Sequence, residues 1–156
     1  MTNFVEYNIS VRKKGEEIEV SEIEKPVSKD EILSFADKYQ RGGKKTGGMA
    51  SLNRELPAKI DSKLRKKIED VAKRSFELIR AKGMLRIDFM YVNDEVYVTE
   101  INPIPGSMAF YLWEASGISF KNQITDMLHQ AEVDDNNRKS KLLKYDSDIV
   151  EKFVRG

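Results

Sequence analysis

The stretch Leu85 to Asn102, LRIDFMYVNDEVYVTEIN, decides the fold of this chain. Leu85 to Val92 and Val96 to Asn102 read as two strands, and Asn93, Asp94 and Glu95 suit a tight turn between them. The turn length sets the register. A two-residue loop pairs Val92 with Glu95, sets Asp88 opposite Thr99, and splits Asp88 and Glu100 between the two faces. A three-residue loop pairs Val92 with Val96, so that Asp88 falls opposite Glu100 and Arg86 opposite Asn102, all four on one face. The other face then carries Leu85, Ile87, Phe89, Tyr91, Tyr97, Thr99 and Ile101, a packing surface for a helix. That apolar set predicts the second register. Two carboxylates facing each other repel, so the arrangement asks for a cation between them. Mg²⁺ takes carboxylate, amide and phosphate oxygens, which Asp88, Glu100 and Asn102 match. Arg86, one pleat away, either adds a permanent positive charge beside a phosphate or forms a surface salt bridge with Asp88 or Glu100. Spacing alone leaves those two readings even.

Upstream, Leu64, Ile68, Val71, Ala72, Ser75 and Ile79 follow three-and-four spacing from Asp61, and Gly83 stands where a left-handed cap belongs. This predicts a long amphipathic helix covering the apolar face. Val5, Tyr7, Ile9 and Val11 alternate with polar residues, and Ile18 and Val20 resume the alternation after a charged turn at Arg12 to Gly15. Phe4 to Ile23 is therefore expected to be an antiparallel hairpin. Ser28 to Lys38 carries a capping signal for a short helix. Lys38 to Gly48, with four glycines among its bases, reads as a loop, and from composition alone as a solvated connection. Phe120 to Ala131 suggests another helix, with His129 a surface residue. Beyond it the chain turns polar, with Ile149, Val150 and Phe153 the only hint of a last helical turn. The expected fold class is α+β, one domain over 4–131 whose mostly antiparallel sheet is backed by the long helix, followed by a polar tail over 132–156.

The composition narrows the function by exclusion. With 156 residues, a net charge of +1 and no cysteine, the chain is sized for a single core, lacks a global field for nucleic acid, and has no thiolate chemistry. No apolar run reaches membrane-spanning length and no signal-peptide core precedes the first strand, so a cytoplasmic protein is expected.

The stretch Arg86-Ile87-Asp88-Phe89, then Glu100-Ile101-Asn102-Pro103-Ile104-Pro105-Gly106, then Leu112-Trp113-Glu114-Ala115-Ser116-Gly117-Ile118 resembles the C-terminal part of D-alanine–D-alanine ligases within the ATP-grasp superfamily. The resemblance extends back through Phe35 to Tyr39 and to Glu6, covering nearly everything from Val5 to His129. It implies the C-terminal ATP-grasp subdomain and a ligase of peptidoglycan biosynthesis that joins a small carboxylate to an amine, with D-amino acids as candidate substrates, through an acyl phosphate. Asp88, Glu100 and Asn102 would hold Mg²⁺ (or Mn²⁺) on the ATP phosphates, and Arg86 would face the transferred phosphoryl group. Glu6 would meet the ATP ribose. Lys38 and Tyr39 would border a mobile lid, which replaces the solvated reading of that loop. In the family a longer stretch after the Pro-Gly turn carries a Ser for the substrate carboxylate. Here Ser107 to Tyr111 shorten it, leaving Gly106 and Ser107 to meet that group. The upstream half of the ATP site and the N-terminal domain are absent from these residues, so the chain is expected to be an excised or truncated portion, inactive alone and prone to associate with a copy of itself through its uncovered face. The competing expectation is a non-catalytic module that binds a nucleotide or a partner chain.

Overall fold

The computed structural model describes residues 4–26 and 54–140. The expectations for Ser28 to Lys38, for the Lys38 to Gly48 loop and for Ile149 to Phe153 lie outside the described residues. Within them the chain is α+β: β1 (Val5–Lys14), β2 (Glu17–Val20), β3 (Lys25–Pro26), β4 (Arg54–Glu55), α1 (Ser62–Leu78), β5 (Met84–Val92), β6 (Glu95–Asn102), α2 (Phe110–Ala115) and α3 (Phe120–Ser140). Four strands form one antiparallel sheet in the order β2-β1-β5-β6, and β3 and β4 pair separately.

Alternation explains the core. Tyr7, Ile9 and Val11 of β1 and Leu85, Ile87 and Phe89 of β5 share one face, and Leu64, Ile68, Ala72 and Phe76 of α1 close over it. Asp61 caps α1 by accepting from the Leu64 amide at 2.8 Å, satisfying one of the orphan donors of the first turn. The far end differs from the sequence expectation. Ile79 is the exposed cap residue, Phe76 takes the buried place, and the left-handed residue that ends the helix is Arg80 (φ 51), while Gly83 (φ 73), also left-handed, lies beyond it directly before β5. The Ala81 amide donates to Phe76 O and the Arg80 amide to Glu77 O, the paired bonds of a Schellman ending, which tolerate a non-glycine residue at a cost.

The β1–β2 turn is also tighter than expected. Lys14 pairs with Glu17 around Gly15 (φ 63), so Arg12 and Lys13 belong to the strand. Arg12 is almost wholly buried: it pairs with Glu19 and Asp126, each at 2.8 Å, and lies 4.5 Å over the Trp113 ring. It thereby pins α2 and α3 onto the second face of the sheet. Trp113 donates to Ser10 Oγ at 2.9 Å and to Met84 Sδ at 3.1 Å, and Gln123 reaches the same sulfur at 3.1 Å. This second helical layer covers only one end of that face. α3 continues past the expected Ala131 end to Ser140, and His129 is exposed. Among the described residues, no helix is long and apolar enough to cross a membrane.

Candidate functional site

The hairpin β5–β6 positions the site, by a route the sequence did not show. Its tip is the two-residue turn: Asn93 (φ 51) and Asp94 (φ 62) are both left-handed, and Val92 pairs with Glu95, the twist-matched turn of a hairpin. Lys67 of α1 holds the tip, donating to Asp94 O at 2.7 Å and to Glu95 at 2.8 Å. Continued regularly, this register would split the two acids. Instead the register shifts between Asp88 and Phe89, so that Phe89 pairs with Val98 but Asp88 with Glu100. Thr99 is the extra residue of a β-bulge, and its hydroxyl donates to Asp88 O at 3.0 Å. Asp88 thus stands across from Glu100 and Arg86 across from Asn102, as expected, through a bulge in place of a longer turn. The pairing moves Tyr97 to the open face beside Met90. Val96, expected across from Val92 on the Asp88 face, instead pairs with Tyr91 and packs on the α1 face.

The pairings assemble a row across four segments. Glu24 bridges Asn8, Asn8 pairs with Asp88, and Asp88 with Glu100. The adjacent row is Ser10, Arg86 and Asn102, and on the other side lie Glu6, Met90 and Tyr97. Glu6, Arg86, Asp88, Glu100 and Asn102 therefore share the face opposite α1, at the end that α2 and α3 leave open. Gly106 and Ser107 follow β6 on a short 3₁₀ turn and are exposed. In that turn Ser107, Met108 and Ala109 have φ of 52, 51 and 45, a conformation costing L-residues roughly 1–2 kcal/mol each. Lys38 and Tyr39 lie outside the described residues.

Arg86 grips Asp88 with both arms of its fork, Nε to Oδ1 at 2.8 Å and Nη2 to Oδ2 at 2.9 Å. Burial works against the guanidinium's charge, but the hydrogen bonds and charge of Asp88, with Tyr111 and Glu24 behind them, raise its pKa above the ordinary arginine value. The salt-bridge reading thus describes this structure. It does not exclude a cation, because an ionised carboxylate has about four lone-pair directions and a bidentate arginine uses two. Asp88 is buried and Glu100 exposed, so the pair opens toward solvent. The amide nitrogen of Asn102 is buried without a hydrogen-bond partner among the described residues. Turned over, the same amide would present its oxygen there. Two carboxylates and an amide are hard oxygen donors that suit Mg²⁺, and other ligands must complete the shell, since the described residues hold no cluster of three acidic, His or Cys groups.

Sequence reasoning missed the residues behind the row. The buried Glu24 carboxylate accepts from Tyr111 Oη at 2.7 Å and from Asn8 Nδ2 at 3.3 Å, and Arg54 Nη1 lies 3.3 Å from its other oxygen. Arg54 also stacks over the Tyr111 ring at 4.3 Å. Burial, then the charge and hydrogen bond of Glu24, push the Tyr111 hydroxyl up, against the pull of Arg86 and Arg54, so it remains a donor. Asn8 was visible as a polar residue on the open face of β1. Nothing local marks Glu24, which reaches the row only through a single bridge to β1.

The chain is thus a sheet with helices on both faces and an open, oxygen-lined polar row on one of them. The chain belongs to the D-ala D-ala ligase C-terminus family, whose profile matches residues 1–129. The D-alanine–D-alanine ligase of Thermosipho melanesiensis is 40% identical over 110 residues, 70% of this chain and 29% of the relative. That of Sulfurimonas denitrificans is 40% identical over 124 residues, 80% of this chain and 34% of the relative. The structure of the D-alanine–D-alanine ligase from Coxiella burnetii aligns with a TM-score of 0.66 at 21% identity, covering all of this chain and 38% of that one, a likeness of fold. The chain spans about a third of the length of the relatives it matches.

Proposed function

We propose that this chain is the ATP- and Mg²⁺-binding part of a carboxylate–amine ligase acting through an acyl phosphate. The observation that carries the reading is the opposition of Asp88 and Glu100 across β5 and β6, with Arg86 and Asn102 in the next row. Asp88, Glu100 and the Asn102 amide oxygen would hold Mg²⁺, or Mn²⁺ in its place. When bound, the ion would neutralise charge on the ATP phosphates. Arg86 supplies a second, permanent positive charge at the transferred group, oriented by the Asp88 fork. In the reaction proposed, a substrate carboxylate oxygen attacks the γ-phosphorus and ADP leaves. The amine then attacks the acyl carbon, loses its proton and expels phosphate. Gly106 and Ser107 would meet a substrate carboxylate, Glu6 would meet the ribose, and Lys38 and Tyr39 are assigned to the lid by resemblance. D-amino acids are the substrate class that the relatives' names suggest.

The test is ATP binding to the purified chain by equilibrium dialysis with and without Mg²⁺. Weak binding that needs the cation and disappears in Asp88→Asn and Glu100→Gln is expected. Cation-independent binding, or binding untouched by both substitutions, would overturn the assignment. Positioning supplies most of phosphoryl-transfer catalysis, so this chain alone should release no phosphate from ATP above an Asp88→Asn control, with D-amino acids present. Turnover near an ordinary enzyme's roughly 1 to 10³ per second, lost in that control, would instead identify a complete small ligase. The closed Arg86–Asp88 fork favours one other reading, a non-catalytic module, and binding of ATP without Mg²⁺ would point to it.

A further inference from the structure

Glu24 and Tyr111 have no part in the reaction above, yet they join its two halves. Glu24 is only 5% exposed, and a carboxylate so placed is costly unless its neighbours are fixed around it. It is anchored to the row by its backbone, exchanging two 2.9 Å bonds with Asn8, and Asn8 stands against Asp88. Tyr111 approaches from α2, directly after the left-handed residues Ser107, Met108 and Ala109. Such a run persists only where its surroundings hold it. On one side Met108 O accepts from Gln123 Nε2 at 2.8 Å and Ala109 is fully buried. On the other, the only tie from this segment to the polar row among the described hydrogen bonds is Tyr111 Oη to Glu24, at 2.7 Å.

We propose that Tyr111 is a positioning residue whose hydroxyl latches the Gly106–Ala109 turn to the Glu24–Asn8–Asp88–Glu100 row, fixing the substrate-facing Gly106 and Ser107 relative to the cation-facing acids. The purpose rests on the function proposed above, whereas the latch itself is a property of the fold. The hydroxyl stays protonated because burial beside Glu24 disfavours the phenolate.

The test uses the ¹⁵N-labelled chain and Tyr111→Phe, which keeps the ring under Arg54 and removes only the hydroxyl. The amides of Met108 and Phe110, which donate to Pro105 O and Ser107 O, should exchange hydrogen about tenfold faster in the variant, the order expected when a bond to a charged acceptor is lost. Amides of Ile9 and Ile87 should be unchanged, which separates the latch from a general loss of stability. Glu24→Gln, which retains an acceptor oxygen, should keep most of the protection. Equal exchange at Met108 and Phe110 in the wild type and Tyr111→Phe overturns the latch. A second arm adds Mn²⁺ as a paramagnetic probe. Line broadening at Asp88 and Glu100 should be the same in both proteins, and broadening at Gly106 and Ser107 weaker in Tyr111→Phe. No broadening at the two acids in the wild type overturns the cation reading and the purpose assigned to Tyr111, a failure distinct from that of the exchange arm.

Discussion

Asp88 and Glu100 should separate stability from binding, although both are assigned to one cation. Asp88→Asn removes the charge from a carboxylate that accepts two hydrogen bonds from a half-buried guanidinium, at 2.8 and 2.9 Å. A hydrogen bond to a charged group contributes about 1.5–3 kcal/mol. The side chains of Arg86 and Asp88 keep 21% and 11% of their exposure, so water partly compensates the arginine. One of the two bonds survives to the amide oxygen. The expected loss is therefore about 2–3 kcal/mol, or a Tm lower by roughly 4–12 °C for a chain of this size. Glu100→Gln, on the exposed edge strand, should fall within about 0.5 kcal/mol of the wild type and gains from relief of repulsion with Asp88. Urea unfolding in EDTA, followed by the fluorescence of the buried Trp113, measures both. Equal stabilities for the two variants, or a greater loss in Glu100→Gln, would refute the reasoning, because the Arg86–Asp88 fork would then hold nothing together.

Trp113→Phe leaves Ser10 Oγ without its 2.9 Å donor and opens space in the second layer, and should cost about 2–4 kcal/mol by circular dichroism in urea. Arg80→Gly relieves a left-handed residue at the end of α1 and should raise stability by about 0.5–1 kcal/mol in the same assay. Partial burial opposes the charge on Asp126, but hydrogen bonds and charge from Lys14 and Arg12 outweigh it and hold the carboxyl below the usual aspartate range. Its contribution is present above an aspartate's ordinary pKa of about 3.9 and lost as pH falls through the lower folded value. Asp126→Asn should therefore lose stability at neutral pH and show a shallower acid transition than the wild type.

Alternation made β1 and β5 legible, and three-and-four spacing made α1 legible, because each reports a face that must be buried. The opposition of Asp88 and Glu100 was also readable, but its mechanism was not. A bulge adds one residue to one strand without a composition signature, so Thr99 could not be told from an ordinary strand residue, and a longer turn was the simpler way to reach the same register. Arg12 was misread because a basic run before a glycine resembles a charged turn. Only the positions of Glu19, Asp126 and Trp113 make its burial tolerable. Glu24 and Tyr111 had no local signal, since they meet across a separation of 87 residues.

The placement of β1 at the centre of the sheet also shapes how the chain comes to be folded. β1 leaves the ribosome first of the sheet strands, with Ile9 and Val11 bound for complete burial, yet its partner on one side is β5, where Val5 pairs with Tyr91 and Arg12 with Met84. At about 5–20 residues per second, roughly 80 residues of synthesis leave β1 waiting some 4–16 seconds, with only the short β2 and the Glu24 bridge beside it. The local pieces, α1 and the β5–β6 hairpin, can form on their own faster timescales. The row from Glu24 to Glu100 cannot, because its middle is the seam between the earliest strand and a late one. Until that seam closes, β1 offers an unpaired apolar edge to any neighbouring chain, so crowding among nascent chains is a condition that exposes this fold to aggregation.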